Sequence, residues 1–167
     1  MLGGIDMKCN ANIVMGSNLL PTTAKYFKEE IFSEILTIPE QKPDMERILK
    51  VLVSPEIVDI NLVETEVGYS NEGQNLTGYK LVVELNIKEK ITYVANEKTQ
   101  SVHAAHFENM KSIFVVIPKE INGQDVCELV RANRISVTPY IEAAKATMLD
   151  CRRIHKCVML FVDVKFC

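Results

Sequence analysis

Tryptophan is absent from this chain, aromatic residues make up only 7% of it, and no apolar run approaches the ~20 residues that a membrane-crossing helix needs. The opening stretch MLGGIDMKCNANIVMGSNLL lacks the basic start and continuous apolar segment of a secretory leader. The expectation is a protein made and retained inside a cell, with no membrane insertion. Cysteine is scarce and odd in number: Cys9, Cys127, Cys151, Cys157 and Cys167 contain no CxxC pair. That excludes the signature of a closed disulfide framework or a zinc ribbon. Excess charge of one sign is also missing, since 19 basic and 22 acidic residues leave a formal charge of -3. A nucleic-acid binder would show a basic face and a high pI, so none is expected. With no GxGxxG, no Walker loop and no HExxH, dinucleotide, triphosphate and zincin chemistry lack their phosphate cradle or paired ligands.

What is present is an ordinary globular composition, 47% hydrophobic and 25% charged, in 167 residues. A single domain of that length buries roughly 70% of the surface its unfolded chain exposes, so it needs no staples. From Lys80 to Tyr93, Leu81, Val83, Leu85, Ile87, Ile91 and Tyr93 alternate with polar residues, broken only by Val82 and Glu89. Period-two alternation marks a long half-buried strand. Residues 57–67 also read as extended, joined to it by the polar, glycine-bearing connection GYSNEGQNLTG. Residues 95–99 are a second turn candidate. Further strands are expected at 29–37, as an edge strand, at 101–107 and at 158–164, and Phe27 is where the folded part is expected to begin. One short helix is expected after Pro43, where Asp44 and Glu46 suit the positive end and Met45, Ile48 and Leu49 share a face. Residues 135–150 carry both signals, helical alanines at YIEAAKATM and strand-like alternation from Ile135 to Ile141. Periodicity leaves both readings open there.

Candidate sites are few. QSVHAAHF holds two of the three histidines, His103 and His106. On a strand, residues three apart emerge on opposite faces and cannot share a metal, whereas on a helix they would meet. The flanking strand signals favour the strand. Cys151, His155 and Cys157 place two thiolates and an imidazole within seven residues, one ligand short of a tetrahedral zinc site. The competing reading sets Cys151 and Cys157 facing each other across a hairpin bend, with His155 on the turn. No metal and no cofactor is expected. Gly68-Tyr69-Ser70-Asn71-Glu72-Gly73 is one residue too long for a GxSxG elbow and reads as a polar turn. A hydrolase would have to rest on Ser70 or His103, and no catalytic residue is assigned. Arg131, Arg134, Arg152, Arg153 and Lys156 make a locally basic end of the chain, a solvated face or a seat for an acidic partner. Asn75-Leu76-Thr77 matches a glycosylation acceptor, which without a secretory signal is only a loop.

Four segments in order, IPEQKPDMERIL, EGQNLTGYKLVVELNIKEKITYVA, TQSVHAAHF and LDCRRIHKCVMLFVDV, resemble the SPOCS domain. That domain is found in the clostridial spore coat morphogenetic protein SipL and in related small proteins of spore formers. The resemblance runs from about Phe27 to Val164. It implies strands across residues 135–150 and an all-β domain at 27–167, an antiparallel sandwich or flattened barrel, preceded by an arm at 1–26. It implies a non-catalytic assembly module of the spore coat or envelope, made in the mother cell and then carried on the spore. Its partners would be coat or morphogenetic proteins, or further copies of itself. The peptidoglycan-binding LysM module that accompanies the domain in SipL has no counterpart after residue 164, so cell-wall binding is not implied. Cys9 and Cys167, near the chain ends, are candidates for intermolecular disulfides once the mother cell lyses. A small-ligand carrier built as a β-barrel is the alternative, since long alternating strands can close around a lined interior.

Overall fold

The computed structural model describes residues 12–15, 19–71 and 73–167. Nine strands and one helix follow in chain order: β1 (Asn12–Met15), β2 (Tyr26–Thr37), β3 (Met45–Tyr69), β4 (Asn75–Ala95), β5 (Val102–Val116), β6 (Glu120–Ile121), β7 (Gln124–Asp125), α1 (Val126–Arg131), β8 (Ile135–Met148) and β9 (Arg153–Phe166). The protein is all-β. One sheet has the order β1-β8-β9-β2, a second the order β3-β4-β5, and β6 with β7 form a small hairpin. All pairings are antiparallel.

The two larger sheets stack with β3 against β8, and β2 against β5, and their inner faces form one core. Alternation fixes which residues enter it. Leu81, Val83, Leu85, Ile87, Ile91 and Tyr93 of central β4 are fully buried, and Ile154, Val158, Leu160, Val162 and Val164 of β9 meet them from the other sheet. At ~1.5–3 kcal/mol for each fully buried large apolar side chain, this double row is the main source of stability. Side chains fill the space between the sheets. Among the described residues the sheets do not close on each other, so the arrangement is an open sandwich rather than a lined barrel.

The long strands at 57–67, 80–93 and 158–164 are present, the strand expected at 101–107 begins at Val102, residues 29–37 form most of an edge strand, and residues 135–148 are strand. Lys80, Glu84, Lys88 and Lys90 lie on the outer face, as their alternation requires. Pro139 is tolerated in β8 because, among the described residues, β1 covers that strand only from Ala143 to Ala146 and leaves an edge at the proline.

The helix expected after Pro43 is a strand instead. Register shifts between Met45 and Arg47, and between Ile48 and Lys50, insert extra residues, so that Met45, Ile48 and Val51 turn inward. Two bulges therefore convert a spacing of two into a spacing of three that imitates a helical face. Among the described residues the one α-helix lies at Val126–Arg131, where the Asp125 side chain accepts from the Cys127 amide at 2.7 Å and Val126 and Leu129 are buried. Within the expected arm, Asn12–Met15 pairs with β8.

Candidate functional site

His103 and His106 lie on opposite faces of β5. His103 stacks on Tyr93 of β4, ring centroids 5.9 Å apart, and its Nε2 is 2.9 Å from Ser101 Oγ. His106 points outward opposite Lys90, on the rim of a shallow depression of about 470 Å³ shared with Lys88, Lys90 and Glu108. Ser70 sits in the β3–β4 turn, where its Oγ accepts from the Gln74 amide at 3.0 Å. It lies at the far end of the hairpin from His103, since residue 75 opens β4 and residue 93 nearly closes it.

The cysteine–histidine set does not converge. Cys151 is exposed in the β8–β9 turn, whereas His155 and Cys157 belong to β9, opposite Thr147 and Lys145. The two cysteines therefore do not face each other across the bend, and His155 is on the strand, not the turn. Among the described residues no three His, Cys, Asp or Glu side chains gather as metal ligands. Cys9 lies outside the described residues, and Cys167 is exposed.

The basic residues also separate. Arg131 and Arg134 precede β8, while Arg152 and Arg153 follow its other end, ~45 Å away at about 3.3 Å per residue of strand. Arg152 is a clamp. Its Nη1 donates to Asp44 Oδ1 at 2.6 Å and Lys42 O at 3.2 Å, and its Nη2 to Ile38 O at 3.0 Å and Pro39 O at 2.7 Å. Asp150 shapes the same turn by accepting from the backbone amides of Arg152 and Arg153, at 2.8 and 2.7 Å, and from Arg153 Nε at 2.6 Å. Those donors, the Arg152 amide first, hold its carboxyl at about 2. Arg134 donates to Gln124.

Lys156 belongs to none of these exposed groups. It is fully buried between the sheets, where its ammonium contacts Glu34 of β2 and Glu89 of β4 and lies 5.3 Å from the Phe32 ring centroid. Asn109 of β5 donates to Glu34, and Lys111 stands 3.9 Å from the same carboxylate. Burial pushes Glu34 up, but Lys156, Lys111 and Asn109 overcome it and hold the carboxyl below its usual range. For Glu89 burial wins, and the carboxyl is held above its usual range with Oε2 unpartnered. The cluster ties the two sheets together. The break in the β4 alternation at Glu89 was its one sequence signal, because position 89 falls in the row of buried residues and must find a cation there.

Among the described residues β2, like β3 and β5, is a long edge strand. It pairs with β9 on one side, and among the described residues no strand pairs with the other. On the outer face of its sheet Phe27, Ile31 and Ile35 are 47%, 62% and 57% exposed, and Met159 of β9 beside Ile31 is 44% exposed. Phe27 stacks on Phe161 at 5.3 Å between centroids, which extends the apolar row inward. Backbone donors and acceptors next to an apolar row are the two components of strand-addition binding.

Comparison of the chain with family models, with curated proteins and with solved structures finds no match.

Proposed function

We propose that this protein is a non-catalytic assembly module that binds through the free edge of β2, and that its setting is the bacterial spore coat or envelope. The observation that carries the binding reading is the row Phe27, Ile31 and Ile35, exposed on a twelve-residue edge strand whose side away from β9 has no strand partner among the described residues. An edge of this length gives affinity through main-chain hydrogen bonds and selectivity through every second side chain. The setting is supported by the four-segment resemblance to the SPOCS domain and rests on those segments alone. The partners fitting this reading are coat or morphogenetic proteins presenting an extended edge, further copies of this chain among them.

The test is incorporation. In a spore-forming host, tagged wild-type chain is expected in the insoluble coat fraction, and an Ile31→Lys variant of unchanged fold in the soluble mother-cell fraction. Synthesis confined to dividing cells, or equal incorporation of both chains, would sink the proposal.

A further inference from the structure

The sequence of β2 also selects what it pairs with. We infer that the occupant of the β2 edge is β2 of a second copy, antiparallel and centred on Ile31, so that two four-stranded sheets join into one. This rests on the reading of β2 as the binding edge and adds the identity of the partner and the register.

Joining two copies about a twofold axis with their outer faces on one side sets residue against residue in an even register, because a one-residue slip would turn the outer face of one copy inward. Each such register centres on one residue of YFKEEIFSEILT. Centring on Lys28 opposes two lysines, and centring on Glu29, Glu30 or Glu34 opposes two glutamates directly. Centring on Phe32 sets Glu30 against Glu34. Like charges directly opposite are destabilising, so each of these is penalised. Centring on Ile31 sets Lys28 against Glu34 twice, Phe27 against Ile35 twice, and Ile31 against itself.

The faces agree with that register. Phe27, Ile31 and Ile35 are the exposed apolar residues of the outer face, with Glu29 and Ser33 between them, and the pairing sets Phe27 beside Ile35 and Ile31 beside itself across the joint. On the inner face Lys28, 35% exposed, lies over the Phe114 ring and beside Glu30, and Glu34, 21% exposed, already holds Lys156, Asn109 and Lys111, so a cross-copy Lys28 would join that cluster as a further cation. Glu30 is set against Phe32 of the second copy, a ring that carries the Lys111 ammonium 5.1 Å from its centroid. Centring on Ser33 creates no like pair, but it gives up both Lys28–Glu34 pairs. Charges on an edge strand usually prevent pairing. Here the same charges reject five of the central registers and reward one.

Cysteine cross-linking reads the register. Residues directly opposite in an antiparallel pair have Cα atoms about 4.5–5.5 Å apart, within disulfide range. In a background with the native cysteines replaced by serine, Ile31→Cys is expected to give a reducible dimer under mild oxidation. Ser33→Cys, displaced from its own copy by four residues or ~13 Å along the strand, is expected to stay monomeric. Dimer from Ser33→Cys and not from Ile31→Cys overturns the register. No link from either, with wild-type chain monomeric at the highest attainable concentration, overturns the second copy as occupant. If Ile31→Lys nevertheless abolishes coat incorporation, the edge binds a different chain and the functional reading survives alone. If incorporation is also unaffected, both fail.

Discussion

Arg152 shows how much one side chain can hold at the end of the sandwich that carries the β8–β9 turn. Its guanidinium gathers three carbonyls and the Asp44 carboxylate from the 38–44 connection, which is bound to the same turn by Met45 N donating to Cys151 O at 2.7 Å. Arg152→Ala is expected to lower unfolding free energy in urea by about 2–3 kcal/mol, and Arg152→Lys to recover little of it, because an ammonium lacks the planar fork. Lys156 poses a different problem, since its removal leaves Glu89 buried with no cation. Lys156→Met is expected to cost about 3–5 kcal/mol, and adding Glu89→Leu to return most of that, the sign of a desolvated pair rather than of lost packing. A double-mutant cycle by urea denaturation measures both. Asp150 gives the pH dependence. Its folded carboxyl, at about 2, lies below the ordinary 3.8, so its contribution is present above 3.8 and lost as pH falls through 2. Asp150→Asn is expected to flatten the acid limb of the stability profile between those values, measured by thermal unfolding across pH.

At the scale of elements, what was legible followed from how each strand meets its neighbours. Central β4 has a partner on each side and a face pressed on the core, so its period-two pattern is complete and was readable over its whole buried length. Edge strand β3 carries four register shifts, and the first two fall where the sequence reads as a helix. Local pattern cannot separate a bulged strand from a short helix when both bring every third residue inward. The six-residue α1 went unread although Asp125 and Glu128 stand at the spacing of a capping box, because two buried side chains give no measurable period. The Glu34–Lys156–Glu89 cluster was hidden for another reason. Glu89 announced itself by breaking alternation, but its cation lies 67 positions away on the other sheet, and only the register of β2 on β9 brings Glu34 to it. The free edge of β2 has its own signature in hydrogen exchange. In dilute protein alternate amides of β2 are expected to exchange fast, those directed away from β9, while their neighbours are protected. Concentrating the protein is expected to protect the fast set as well. Fast exchange at every concentration would count against pairing at this edge.

The whole molecule is a packed sandwich with its polar chemistry spent on holding its own parts. Glu34 and Glu89 meet Lys156, buried Asp163 meets Lys165, the Arg152 fork meets backbone carbonyls, and His103 meets Tyr93 and Ser101. Among the strand edges that the described surface leaves open, that of β2 carries an apolar row and charges that favour one partner arrangement. Ile31 is exposed and outside the core, so Ile31→Lys is expected to change stability by no more than about 0.5 kcal/mol while removing the centre of the joint. Sedimentation of the intact chain with and without that substitution is therefore the most direct test. The account predicts a wild-type dimer that becomes a monomer in the variant, with unchanged circular dichroism. Wild-type protein that sediments as a monomer, indistinguishable from the variant at every concentration, would contradict it.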